Sequence, residues 1–88
     1  MKKSTQDQEA LALAVSVFSA IDNESPDKLK PWFPVVMQTM HLLNSMEIDD
    51  DLGLNLWEFA QLKSERSKAT DVFRTRVQKT LDELKPSP

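Results

Sequence analysis

The side chains best suited to chemistry in this 88-residue sequence are the oxygen donors Glu47, Asp49, Asp51, Asn55 and Glu58. Counted from Glu47 they fall at positions 1, 3, 5, 9 and 12 of a twelve-residue stretch. Hard oxygen ligands at alternate positions, closed by a carboxylate able to bind through both oxygens, are what calcium requires. Other chemistries are poorly supplied. His41 is the one histidine and there is no cysteine, so a two-His metal site within one chain, a thiol nucleophile and a disulfide frame are all excluded. Gln38 and Ser45 are its helical neighbours, and a Ser–His–acid triad would need distant residues that the sequence does not place. A single glycine, Gly53, excludes the glycine-rich loops that cradle phosphates.

Glu47–Glu58 resembles an EF-hand loop. Leu54 takes the apolar eighth position, and Leu43, Met46, Phe59 and Leu62 stand where flanking helices pack. The resemblance implies a calcium ion held by Glu47, Asp49, Asp51, Asn55 and Glu58. Two departures weigh against it. Glu47 replaces the usual aspartate at the tightest corner, and Leu52 occupies the sixth position, where the turn needs glycine. The reading we prefer is an acidic, solvated loop, with Asn55 as helix N-cap and Glu58 closing a capping box. No cofactor is expected.

Two further clusters suit recognition rather than reaction. Residues 1–60 carry 4 basic and 10 acidic groups, a net −6. Residues 61–88 carry 7 basic and 4 acidic groups, a net +3, so the whole chain is −3. The basic groups Lys63, Arg66, Lys68, Arg74, Arg76, Lys79 and Lys85 are interrupted by Asp71, Asp82 and Glu83. A solvated face or a grip on an acidic protein fits them better than contact with phosphates, which no interleaved aromatic supports. The second cluster is Lys30-Pro31-Trp32-Phe33-Pro34, a rigid, partly apolar corner of a kind favoured in interfaces.

These groups are positioned by helices. With one glycine, no tyrosine and no apolar/polar alternation, nothing argues for a sheet. A first helix is expected over about Thr5–Ile21, capped by Ser4 and Asp7. Leu11, Ala14, Val15, Phe18 and Ile21 share one face, widened by Ala10, Leu13 and Val17. So apolar a helix should be central. Ser25-Pro26-Asp27 starts a single turn, which Pro31 stops. A helix over Pro34–Ser45 follows, with Val36, Met40 and Leu43 inward and Trp32 stapled on Met37. After the 46–55 loop a helix begins at Asn55. Residues 54–85 contain no glycine or proline, and a continuous helix would run about 45 Å. A break in 63–68, with Ser67 as the new N-cap, is therefore expected. The last helix then buries Ala69, Val72, Phe73, Val77, Leu81 and Leu84 before Pro86.

The expected fold is all-α: a single small bundle over residues 1–88 of about four main helices plus a one-turn helix, with tails at 1–4 and 86–88. No apolar run reaches the roughly 20 residues that span a bilayer. Asp7 and Glu9 between Lys2–Lys3 and the apolar run argue against a signal peptide, so a cytoplasmic location is expected. The expected function is a non-enzymatic protein-interaction module: a regulator, inhibitor or adaptor gripping another protein through Trp32, Phe33, Arg66, Arg74, Arg76 and Lys79. The charge asymmetry also permits a homodimer. Calcium binding is the alternative, and DNA binding through the basic helix a second one, with nucleic acid disfavoured by the net charge.

Overall fold

The computed structural model describes residues 5–45 and 51–84, and over these all regular structure is helical. Ser4, Met46, Glu47, Asp49, Lys85, Pro86 and the proposed tails lie outside the described residues. Four α-helices follow one another: α1 Thr5–Asn23, α2 Phe33–Asn44, α3 Leu52–Ser64 and α4 Thr70–Leu84. Two successive 3-10 turns, Pro26–Lys28 and Lys30–Trp32, join α1 to α2. The all-α bundle is thus the fold. None of these helices is long and apolar enough to cross a membrane.

The centre of the bundle is α3, not α1. Leu52, Gly53, Leu56, Phe59 and Ala60 of α3 are all buried. α2 and α4 pack on its two sides, and α1 reaches it from behind through a tilted ring pair, Phe18–Phe59, with centroids 5.3 Å apart. α1 buries Ala10, Leu11, Ala14, Val17, Phe18 and Ile21, yet Leu13 keeps 40% of its surface exposed. Its apolar stripe is wider than the one face its neighbours cover.

α3 starts at Leu52, three residues before the expected Asn55, with Asp51 at the N-cap position and its carbonyl accepting from the Asn55 N–H at 2.8 Å. The reason is packing. Starting the helix early buries Leu52 and brings Gly53 against α2. A β-carbon added at Gly53 would lie 2.9 Å from the Met40 carbonyl oxygen and 3.0 Å from Asn44 Oδ1. Gly53 is therefore a contact glycine inside a helix, not the hinge of a loop.

The connection from α1 to α2 follows its prolines. Ser25 is extended and its carbonyl, not its hydroxyl, accepts the Lys28 N–H at 2.9 Å. Leu29, between the two turns, is fully buried and anchors the segment. α2 begins at Phe33, one residue before the expected Pro34, with Trp32 at the N-cap. This displaces the proposed staple, and Met37 stays 41% exposed. Val36, Thr39 and Leu43 form the buried side of α2, and Thr39 satisfies its hydroxyl on the Val35 carbonyl at 2.8 Å.

The break between α3 and α4 falls where expected, but its chemistry differs. Arg66 adopts φ 57°. The Arg66 N–H donates to the Lys63 carbonyl (3.0 Å) and the Ser67 N–H to the Leu62 carbonyl (2.9 Å). This pair of bonds is a Schellman ending, usually built on glycine. α4 then starts at Thr70 rather than directly after Ser67. The Ser67 hydroxyl accepts the Ala69 N–H at 3.1 Å and its carbonyl the Thr70 N–H at 3.2 Å. In α4, Val77 and Leu81 are buried, whereas Val72, expected inside, is 50% exposed.

Candidate docking face

α1 covers one side of the α2–α3–α4 layer and leaves the other side of α3 open. Leu54, Trp57, Glu58 and Gln61 share that open face, at spacings of three and four. Between α3 and α4 it forms an open groove of about 480 Å³, lined by Asp51, Leu54, Asn55, Glu58, Phe73 and Arg76. Leu54 and Phe73 are its apolar residues, and Asp51, Asn55, Glu58 and Arg76 are its polar and charged ones. Leu54 is 50% exposed and Phe73 half-buried. The Arg76 guanidinium sits over the Phe73 ring, 4.8 Å from its centroid, a cation–π contact that holds the cation at the rim. Val72 stands one turn before Arg76 on the same side of α4. On the α2 side, Phe33 meets Trp57 edge-on, centroids 5.6 Å apart. Trp57 in turn lies one turn from Leu54, so the aromatic corner and the groove adjoin.

The residues proposed to grip a partner thus divide into two groups. Phe33 and Arg76 reach this face. Trp32 is half-buried against the core, and Lys79 is exposed one turn beyond Arg76. Arg66 and Arg74 are engaged within the chain. Arg66 pairs with Asp27, and Arg74 pairs with Asp22 at 2.7 Å, its Nε donating to the same oxygen at 2.8 Å, with Asp71 at 3.8 Å. Both pairs tie the start of α4 and the break before it to the end of α1 and the turn after it.

Lys63 belongs to that same junction, although its place in the basic run suggested a solvated cation. Its ammonium reaches the end of α1 and donates to the Ile21 and Asp22 carbonyls at 2.8 and 2.5 Å. A cation there satisfies carbonyls that have no partner inside the helix and faces the negative end of the α1 dipole. Burial pushes its pKa below the usual lysine value. Asp22 opposes that shift, Arg74 adds to it and Glu24 opposes it. No sequence signal marks this role, because the partner carbonyls lie about forty residues away.

The calcium-loop geometry is not what the described part of the segment forms. Leu52 to Glu58, positions 6 to 12 of the proposed loop, is helical. Asn55 and Glu58 therefore project from α3 into the groove rather than wrapping a central ion, and Glu47 and Asp49 lie outside the described residues. Among the described residues no three His, Cys, Asp or Glu side chains gather as a metal site. His41 is exposed on α2, and the Ser45 hydroxyl donates to the Leu42 carbonyl at 2.8 Å rather than to the imidazole. Every buried side-chain nitrogen or oxygen among the described residues has a hydrogen-bond partner.

No protein-family model, curated protein or solved structure matches the chain.

Proposed function

We propose that the chain is a non-enzymatic protein-interaction module of the cytoplasm, a small regulator, inhibitor or adaptor, and that it docks another protein on the open face of α3 and α4. One observation carries this reading: Leu54, half exposed, and Phe73 line a groove that Glu58 and Arg76 also line. Apolar side chains that a small bundle fails to cover mark a contact surface when polar groups rim them. The fitting partner inserts an apolar side chain between Leu54 and Phe73, and presents an acid to Arg76 and a base to Glu58. The polar interior supports the same reading. Among the described residues its buried side-chain groups are satisfied, and none hydrogen-bonds the His41 imidazole. DNA binding loses support because Arg66 and Arg74 are neutralised by Asp27 and Asp22.

The test is capture from the native cell by immobilised wild type and by Leu54→Lys, with circular dichroism to establish that both are folded. The variant places an ammonium in the apolar part of the groove at a site that contributes nothing to the core. It is expected to lose the captured partner while remaining helical. Equal capture by the two would refute the docking face.

A further inference from the structure

The backbone at the α3–α4 face decides what kind of element can lie on it. Beyond their first turns, helices bond their N–H and C=O groups along their own axes. The face therefore meets a partner with side chains, and among the described residues there is no strand edge for an extended segment to join. An extended segment laid there would bury its own N–H and C=O groups without partners. A helix arrives with those groups already bonded to one another, so a helix is the element that fits.

Its side chains are dictated by the turns of α3. Leu54 has Asp51 three residues before it and Glu58 four residues after it. At about 100° per residue the three fall within about 60° of one another around the axis, and all three line the groove. Asp51, at the N-cap position, keeps helical-region backbone, so the register holds to that end. The two carboxylates are thus seven residues apart, about 10 Å along the helix, with an apolar side chain between them. α3 brings no cation to the groove. Glu58 has no ion-pair partner among the described residues. Asp51 is exposed, and a carboxylate has acceptor positions for an incoming base beside any bond within the chain. A second helix reproduces this spacing by its own geometry, with two basic residues seven positions apart and an apolar one between. Trp57, one turn after Leu54 and met edge-on by Phe33, widens the apolar part toward α2, and Phe73 widens it toward α4. Arg76 adds a restriction. Its guanidinium lies over the Phe73 ring and repels a uniformly basic segment, so the bases must stand beside α3 rather than form a run.

We propose that the occupant of the α3–α4 face is an amphipathic helix of another protein, which sets two basic residues seven positions apart on Asp51 and Glu58 and an apolar residue between them on Leu54, a proposal that rests on reading that face as a docking surface. The probes are two dye-labelled, alanine-based helical peptides of about 20 residues. Both carry one leucine stripe, flanked at two positions seven apart by lysine in one peptide and by glutamate in the other. Fluorescence anisotropy follows their titration with the full chain up to millimolar concentration, and circular dichroism establishes that every variant is folded. The lysine peptide is expected to bind at least about tenfold more tightly than the glutamate peptide, and added salt to weaken it. Asp51→Asn combined with Glu58→Gln removes both charges and keeps a residue favoured at the N-cap. In that variant the preference for lysine should fall to about twofold or less. Absence of lysine-peptide binding, equal binding of the two peptides, or a full preference surviving in the neutral variant would overturn the proposal. If Leu54→Lys nevertheless abolishes capture of a protein from the native cell, the docking reading stands and only the chemistry of the occupant fails.

Discussion

Gly53 shows how packing can decide the place of a residue. In the sequence it falls within the expected 46–55 loop, shortly after three aspartates. In the structure it lies within α3, and the space its side chain would take belongs to the Met40 carbonyl and Asn44. Alanine is ordinarily the better helix former by about 1 kcal/mol. Here the obstructing atom is backbone and cannot swing aside, so overpacking dominates. Gly53→Ala is expected to lower stability by about 1–2 kcal/mol, measured by urea unfolding. Lys63 makes a second case. Burial lowers its pKa from 10.5, while in the unfolded chain it titrates at the ordinary value. Between those two values the unfolded chain binds more protons than the native one. The Lys63 contribution therefore rises as pH rises through that window, and its penalty is fully present below it. The difference in melting temperature between wild type and Lys63→Met should grow from neutral pH toward pH 10.5. A constant difference would show that Lys63 titrates normally.

At the scale of elements, the helices were legible because periodicity and punctuation agree. Asp22-Asn23-Glu24 does end α1, Pro26 does open a single turn and the 63–68 stretch does break the last helices. What sequence could not give was how far each stripe would be covered. Val72 stands five residues before the buried Val77, about 140° round the helix from it, and falls outside because α4 has a neighbour on only part of its circumference. Leu29 is the opposite case. An isolated leucine between prolines carries no periodicity, but it is fully buried. The break between α3 and α4 is closed by Arg66 at positive φ, where a β-carbon costs about 1–2 kcal/mol. The ordinary helix ranking should invert there. Arg66→Gly is expected to be more stable than Arg66→Ala by about 1 kcal/mol, since both lose the exposed pair with Asp27. Chemical denaturation of the two variants checks this.

For the whole molecule, half of the candidate site was readable. Trp32-Phe33 and the basic helix stood out by composition, and Phe33 and Arg76 do reach the open face. Leu54 and Phe73 did not stand out, because one resembled a residue of an acidic loop and the other a core position of α4. Only the packing of α3 against α4 brings them to one groove. The charge asymmetry of the sequence also takes a different form in three dimensions. Part of it is consumed inside the chain, where Asp22 and Asp27 hold Arg74 and Arg66 and fasten α4 to the end of α1. What remains outward includes Glu58 on α3 and Arg76 on α4, beside Leu54 and Phe73 in one groove, and the central claim is that this groove is where the protein meets its partner. A photo-activated cross-linking residue placed at position 54 tests it most directly, with position 16 on the exposed side of α1 as the control. Irradiation in the native cell should give a discrete protein adduct, with a second copy or another chain, from position 54 and none from position 16. Adducts from position 16 alone, or equally from both, would contradict the account.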